Sequence, residues 1–238
     1  KPFQTACKIV DTGDAFGDFV SAGVDAVIIA RDDPETHASM AMPLLEAGLS
    51  VFVDKPLTLD AREIDGFRPY LERGKLMSCS GLRYARELDG PRSNLDRYGT
   101  LRLIRGAVIN GWDKYAIHLL EAVSEMLPGR IDTVTPLLSR HASVALTWTS
   151  GVLFQLDALG PVPKTFQVDI FGSAARSTHE IEDNFSAFRR TLYRFLTMVR
   201  TGEPPIDPAE TTHVLDVIRA GKHALETGES VSLGPVAA

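Results

Sequence analysis

Cysteine is almost missing from this sequence: Cys7 and Cys79 are the only two. Two thiols cannot build a dense disulfide framework or a cysteine zinc cluster, and a reducing cytoplasm is the simpler compartment. No apolar run reaches the roughly 18 residues that a membrane-spanning helix needs. Positive charge is not in excess either, with 25 Lys and Arg against 31 Asp and Glu, a formal charge of −6. Nucleic-acid backbones and anionic membranes both attract clustered cations, so neither is expected as the main partner. The six histidines show no H-x-x-x-H or H-E-x-x-H spacing, so no metal is expected. No serine sits in a G-x-S-x-G elbow. A glycine-rich phosphate turn of the form G-x-G-x-x-G is lacking as well. Gly13 and Gly17 lie four apart with no strand before them. The chain opens at Lys1-Pro2-Phe3 without an initiator Met, and it reads as lacking the first βαβ unit of a dinucleotide-binding fold.

What is present is an alternation of strands and helices. Val24-Asp25-Ala26-Val27-Ile28-Ile29-Ala30 is a short apolar run with β-branched residues, the pattern of a strand buried on both faces. The polar loop Arg31 to His37 leads into a helix over 36–47, with Met40, Leu44 and Leu45 inward and Gly48 as its stop. Ser50 to Asp54 is a second strand, broken by Lys55-Pro56. A helix over 60–73 and a strand over 76–80 follow. This order implies a parallel α/β sheet. Past Tyr84 the pattern changes. Residues 85–99 read as a linker or irregular crossover, 101–109 as a half-buried antiparallel strand, and 114–127 as a helix. Strands over 141–149, 152–159 and 165–171 suggest an antiparallel sheet. Helices over 184–201 and 208–227 close the chain, the second with Asp207 as N-cap and Pro208 at its first position. The expected architecture is a partial Rossmann-like parallel sheet over 1–84, then an α+β domain with a mainly antiparallel sheet over 85–238.

Several motifs stand in a specific order: Val24–Ala30 with the loop to His37, then Ala47-Gly48, then Val51-Phe52-Val53-Asp54-Lys55-Pro56. Leu82-Arg83-Tyr84, the segment Trp112 to Leu120, Phe171-Gly172-Ser173 and Gly228-Glu229-Ser230-Val231 follow. Together they resemble the Gfo/Idh/MocA oxidoreductases, with Asp54-Lys55-Pro56 at the place of that family's Glu-Lys-Pro. The resemblance runs over about residues 5–233. It implies hydride transfer between NAD or NADP and a hydroxyl or carbonyl carbon of a sugar, cyclitol or similar polyhydroxylated small molecule. It also implies a homodimer or homotetramer. The alternative is a non-catalytic ligand-binding or regulatory protein on the same scaffold, which the lacking glycine turn favours.

The resemblance carries over to individual residues. Lys55 matches the lysine that sits where nicotinamide, ribose and substrate meet, and an ammonium there can orient hydroxyls or stabilise an alkoxide. His118 matches the histidine that acts as general acid or base. The family's usual aspartate four residues earlier is replaced by Lys114, with Asp113 one residue before it. On an α-helix Lys114 and His118 share a face, so Lys114 could act as an acid or depress the His118 pKa. Tyr115 is a further catalytic candidate. Ala30, Arg31, His37, Asp54, Lys55, Pro56 and Arg83 are the candidates for holding the cofactor.

Overall fold

The computed structural model describes residues 23–234. The glycine spacing at Gly13 and Gly17, and the reading that a first βαβ unit is lacking, fall on residues 1–22 and so lie outside the described residues. The first sheet has three parallel strands in the order β1 (Ala26–Ile29), β2 (Ser50–Val53) and β3 (Leu76–Ser78). Its crossovers are α1 (His37–Glu46) and α2 (Ala61–Glu72). The Asp60 carboxylate caps α2 by accepting from the Arg62 N–H. Strand β2 is buried throughout because alternate residues face opposite helical layers. Val51 and Val53 pack with Leu44, Leu45, Phe67 and Leu71 on one face. Phe52 packs on the other against Phe195, Met198 and Ile206, residues from the far end of the chain. The expectation that β1 is also buried on both faces is corrected: it lies at an edge among the described strands, and Ile28 is 46% exposed.

The second sheet has seven strands in the order β10-β5-β6-β7-β4-β8-β9. They are β4 (Leu101–Val108), β5 (Ile131–Pro136), β6 (Ala142–Trp148), β7 (Leu153–Ala158), β8 (Phe166–Gly172), β9 (Arg176–Glu180) and β10 (Val231–Ser232). The sheet is mainly antiparallel, with one exception: β4 runs parallel to β7 in register Leu103–Val108 with Leu153–Ala158. The expected antiparallel setting of β4 therefore holds only toward β8. Segment 85–99 is not a bare linker. It holds a 3-10 turn at Arg86–Leu88, the short helix α3 (Asp89–Ser93) and another 3-10 turn at Leu95–Tyr98. Arg92 in α3 donates to the carbonyls of Arg83 and Ala85, which pins this segment down.

Helix α4 (Ile117–Ser124) is preceded by a π-helical turn, Trp112–Ala116, where a continuous α-helix is expected from the sequence. Helix α5 (Asn184–Thr201) starts at Asp183, whose carboxylate accepts from the Ser186 N–H, and ends at Gly202 with φ 72°. Helix α6 (Pro208–Thr227) starts at Asp207, which accepts from the Ala209 N–H. Residues of α4 and α6 cover one face of the second sheet in a single core with Ile104, Leu146, Phe154 and Ile170. Helix α6 also places Leu215 in the core of the first sheet. The two sheets are thus joined by helices that serve both.

Two close fits hold this junction. The Trp112 indole lies on α6 and donates from Nε1 to the Ile218 carbonyl at 2.9 Å. A Cβ at Gly221 would stand 2.1 Å from the indole, so only glycine fits there. Arg83, in the 3-10 turn Gly81–Tyr84, has a side chain only 3% exposed. Its guanidinium reaches Glu121 at 2.9 Å, Glu125 at 2.7 Å and Glu210 at 2.6 Å. These carboxylates come from α4, the residue just past its end, and α6. Burial pushes the Glu121 carboxyl up against the pull of Arg83.

Gly221→Ala is expected to lower stability by about 1–3 kcal/mol in urea denaturation, because overpacking outweighs alanine's better helix propensity. Arg83→Met should cost about 3–5 kcal/mol by the same measurement, since it leaves three carboxylates facing one another in a buried site.

Candidate active site

The carboxyl ends of parallel strands open toward a crevice where ligands bind in α/β folds. Here that edge is made by the loop after β1 and the turn after β2. His37, at the first residue of α1 and fully buried, ties the two together. Its Nδ1 lies 3.0 Å from the Pro56 carbonyl oxygen and 3.1 Å from that of Leu57. Its Nε2 lies 3.1 Å from the carbonyl oxygen of Arg31. Both ring nitrogens therefore face backbone, and His37 braces the loops instead of presenting a free nitrogen to a ligand. Lys55 follows β2 and is 8% exposed. Its ammonium donates to Asp32 Oδ1 at 3.2 Å. Asp54 beside it is half-buried, and burial raises its carboxyl above the usual range while Lys55 and His37 pull it down. Pro56 is buried in the same turn.

The second sheet brings the other half of the site. Lys114, in the π-helical turn, reaches across and donates to the Asp32 carbonyl at 2.9 Å, with Asp32 Oδ2 at 3.9 Å. Asp32 thus bridges a lysine from each sheet. His118 sits in the first turn of α4, its ring edge-on to Tyr115 at 5.7 Å and to Phe166 at 5.5 Å between centroids. Its Nδ1 lies 2.7 Å from Ser80 Oγ, at the end of the turn after β3. Burial, with the Lys55 ammonium adding to it, pushes the imidazole down to about 3, and Asp32 only partly opposes this. The lysine that depresses His118 is therefore Lys55 and not Lys114. The α-helical spacing that pairs Lys114 with His118 does not apply through a π-helical turn.

Lys55, Lys114, Tyr115 and His118 are thus brought to one cleft, and Asp32, Ser80 and Phe166 complete it. Asp32 lies in a loop that reads as merely polar, and Ser80 and Phe166 are ordinary strand-end residues, so neither composition nor spacing singles them out. Asp113 stands apart: its carboxylate pairs with Lys222 of α6 at 3.0 Å. Ala30 and Arg31 line the loop after β1 and are exposed, and the Arg31 guanidinium is held at 2.8 Å by both oxygens of Asp33. Arg83 is not brought to this cleft by its charged end, which lies among Glu121, Glu125 and Glu210. Among the described residues no group of three His, Cys, Asp or Glu is placed to hold a metal ion, and no helix is long and apolar enough to cross a membrane.

Comparison with known proteins agrees with this fold. Residues 15–77 match the family model described as an oxidoreductase family with an NAD-binding Rossmann fold. No curated protein matches in sequence. Among solved structures, myo-inositol 2-dehydrogenase from Lactobacillus plantarum superposes with a TM-score of 0.81 at 17% identity, over 93% of this chain and 84% of that one. Scyllo-inositol dehydrogenase from Lactobacillus casei, with bound NAD(H) and scyllo-inositol, gives 0.77 at 16% identity over 92% and 83%. The WlbA dehydrogenase from Bordetella pertussis, in complex with NADH and UDP-GlcNAcA, gives 0.71 at 15% over 93% and 83%. Identities this low carry the fold alone. With the family model and these folds together, the resemblance read from the motifs is borne out: the chain carries the Rossmann segment of the Gfo/Idh/MocA oxidoreductases within the two-sheet fold of their dehydrogenases.

Proposed function

We propose that this protein is an NAD(P)-dependent oxidoreductase acting at a hydroxyl or carbonyl carbon of a sugar, cyclitol or related polyhydroxylated molecule. The observation that carries the reading is Lys55. A nearly buried ammonium stands at the carboxyl end of a parallel strand, near a neutral imidazole on a helix that covers the other sheet. The donor set fits the nicotinamide end of a dinucleotide. Lys55 and the backbone of Asp54 and Pro56 would hold it, with Ala30 and Arg31 along the loop beside it. Bound NAD(P) supplies the hydride donor or acceptor, and the protein supplies orientation and proton handling.

The chain's own groups then divide the work. Lys55 donates one of its three hydrogens to a substrate oxygen while another stays on Asp32, and it favours negative charge developing on that oxygen. Lys114 adds a second cation from the opposite wall. Asp32 keeps both lysines aimed into the cleft. His118 is neutral at physiological pH and meets the substrate through Nε2, which has no protein hydrogen-bond partner among the described residues. Tyr115 and Phe166 wall the imidazole and exclude water from its flanks. We also assign the exposed Leu153 and Phe171 of the second sheet to a face shared between copies in a dimer or tetramer, as an apolar sheet face calls for a cover.

Titrating the full-length protein with NADH and NADPH by fluorescence tests the reading, and absence of binding by both overturns it. Binding without turnover over a panel of inositols and sugar nucleotides selects the non-catalytic alternative. In an active preparation, Lys55→Met should lower kcat by roughly 10²- to 10³-fold.

The depressed His118 pKa has a sign in stability. The unfolded chain takes up this proton below about 6.5, while the folded chain refuses it down to about 3, so folding stability declines as pH falls through that window. His118→Asn should flatten the decline relative to the parent protein, measured by urea denaturation at a series of pH values.

A further inference from the structure

The buried hydrogen bond behind His118 determines which of its nitrogens carries the proton. Ser80 is fully buried, so its hydroxyl must find its partners within the protein. Its Oγ accepts from the Leu82 N–H at 3.1 Å. That N–H is a donor and cannot also take the hydroxyl hydrogen. The other partner of Oγ is His118 Nδ1, at 2.7 Å. If Nδ1 carried a hydrogen and donated it to Oγ, the serine O–H would be left in the interior with no acceptor among the described residues. If the hydroxyl donates to Nδ1, every group is satisfied. The neutral ring then holds its one hydrogen on Nε2, the nitrogen turned away from Ser80.

We infer that Ser80 is a positioning residue that holds His118 in the Nε2–H tautomer, so that His118 meets a substrate oxygen as a hydrogen-bond donor and not as a proton acceptor. This rests on the proposed function for what it does in turnover, but not for the tautomer itself. A neutral imidazole that donates suits the carbonyl side of the reaction, where negative charge builds on oxygen and an N–H stabilises it. It also separates two roles that the histidine is ordinarily given together. A proton leaving a hydroxyl in the oxidative direction cannot be taken at Nε2, which is already protonated. It passes instead to Lys55 Nζ as Lys55 gives its own proton to Asp32, whose side chain is 71% exposed and returns it to water. One proton enters the pair and one leaves, and Lys55 remains an ammonium. His118 keeps its hydrogen throughout, and Ser80 keeps the acceptor face of the ring occupied.

The test uses the full-length protein labelled with ¹⁵N in histidine, at neutral pH and without any dinucleotide. The His118 signals are assigned by their loss in His118→Asn. The expected result is a pyridine-type shift at Nδ1 and a pyrrole-type shift at Nε2. The reverse pattern, or fast averaging between the two, overturns the inference whether or not the protein proves to be a dehydrogenase. Ser80→Ala supplies the second arm. With circular dichroism unchanged, it should produce averaged nitrogen shifts, NADH affinity within about threefold of the parent, and kcat lower by about 10- to 100-fold, the range seen when an orienting partner is lost. A single Nε2–H tautomer retained in Ser80→Ala also overturns the assignment to Ser80. If NADH fails to bind while the parent shows the Nε2–H tautomer, the proposed function falls and the tautomer assignment stands.

Discussion

The guanidinium of Arg83, shared among Glu121, Glu125 and Glu210, is the contact on which the arrangement of the site depends. Arg83 leaves the first sheet in a 3-10 turn, and its three partners belong to α4, its end and α6. A single rigid fork therefore orients the exit of one sheet against the helices that cover the other. Ser80 lies in the same turn as Arg83, and His118 lies one helical turn before Glu121. The hydrogen bond between Ser80 and His118 is thus a neighbour of the ion cluster on both of its strands of support. Buried charge of this kind adds little net stability over an apolar packing of the same shape, but it tolerates only one register of the two pieces. A slip of either element would leave a carboxylate without its guanidinium, and it would also move the imidazole off the serine.

The cleft itself is organised by unequal burial of like charges. Lys55 is almost enclosed, while Lys114 is half in water, and one exposed carboxylate serves both. An enclosed ammonium acts strongly on its surroundings because water cannot screen it. That is why Lys55, and not the residue four before His118, adds to the effect of burial on the imidazole. Asp32 has the opposite character. Its exposure keeps it in contact with water while it holds Lys55.

Much of this was legible in the residues. The strands at 26–29, 50–53 and 76–78 and the helices between them fall within two residues of their expected bounds, because apolar runs, a capping aspartate and stop glycines act locally. Both closing helices begin and end where Asp183, Gly202, Asp207 and Gly228 place them. The family resemblance pointed to Lys55 and His118 before any geometry. What was not legible depends on contacts distant in sequence. Strand β5 contains Asp, two Thr and Pro, and β9 is polar and lies at an edge, so neither has an apolar signature. The π-helical turn begins at Trp112, which docks on Gly221 more than 100 residues away, and it alters the spacing on which the Lys114–His118 pairing relied. Asp32 and Ser80 gain their roles only from what the fold sets opposite them. Arg83, next to the aromatic Tyr84 at the sheet's exit, has the sequence surroundings of a ligand contact but is turned toward three distant glutamates.

The packing of Phe52 against Phe195 bears on the order in which the chain can mature. The first sheet is encoded early, yet one of its faces is closed by α5, near the end of the chain. During synthesis from the N-terminus, Phe52, Met77 and Cys79 have no cover until residues 184–206 have left the ribosome. Domains that close late in this way expose apolar surface for longer and lean on chaperones during that interval. The early sheet is therefore not a module that matures first and waits. It and the late helices reach their native state together, or not at all.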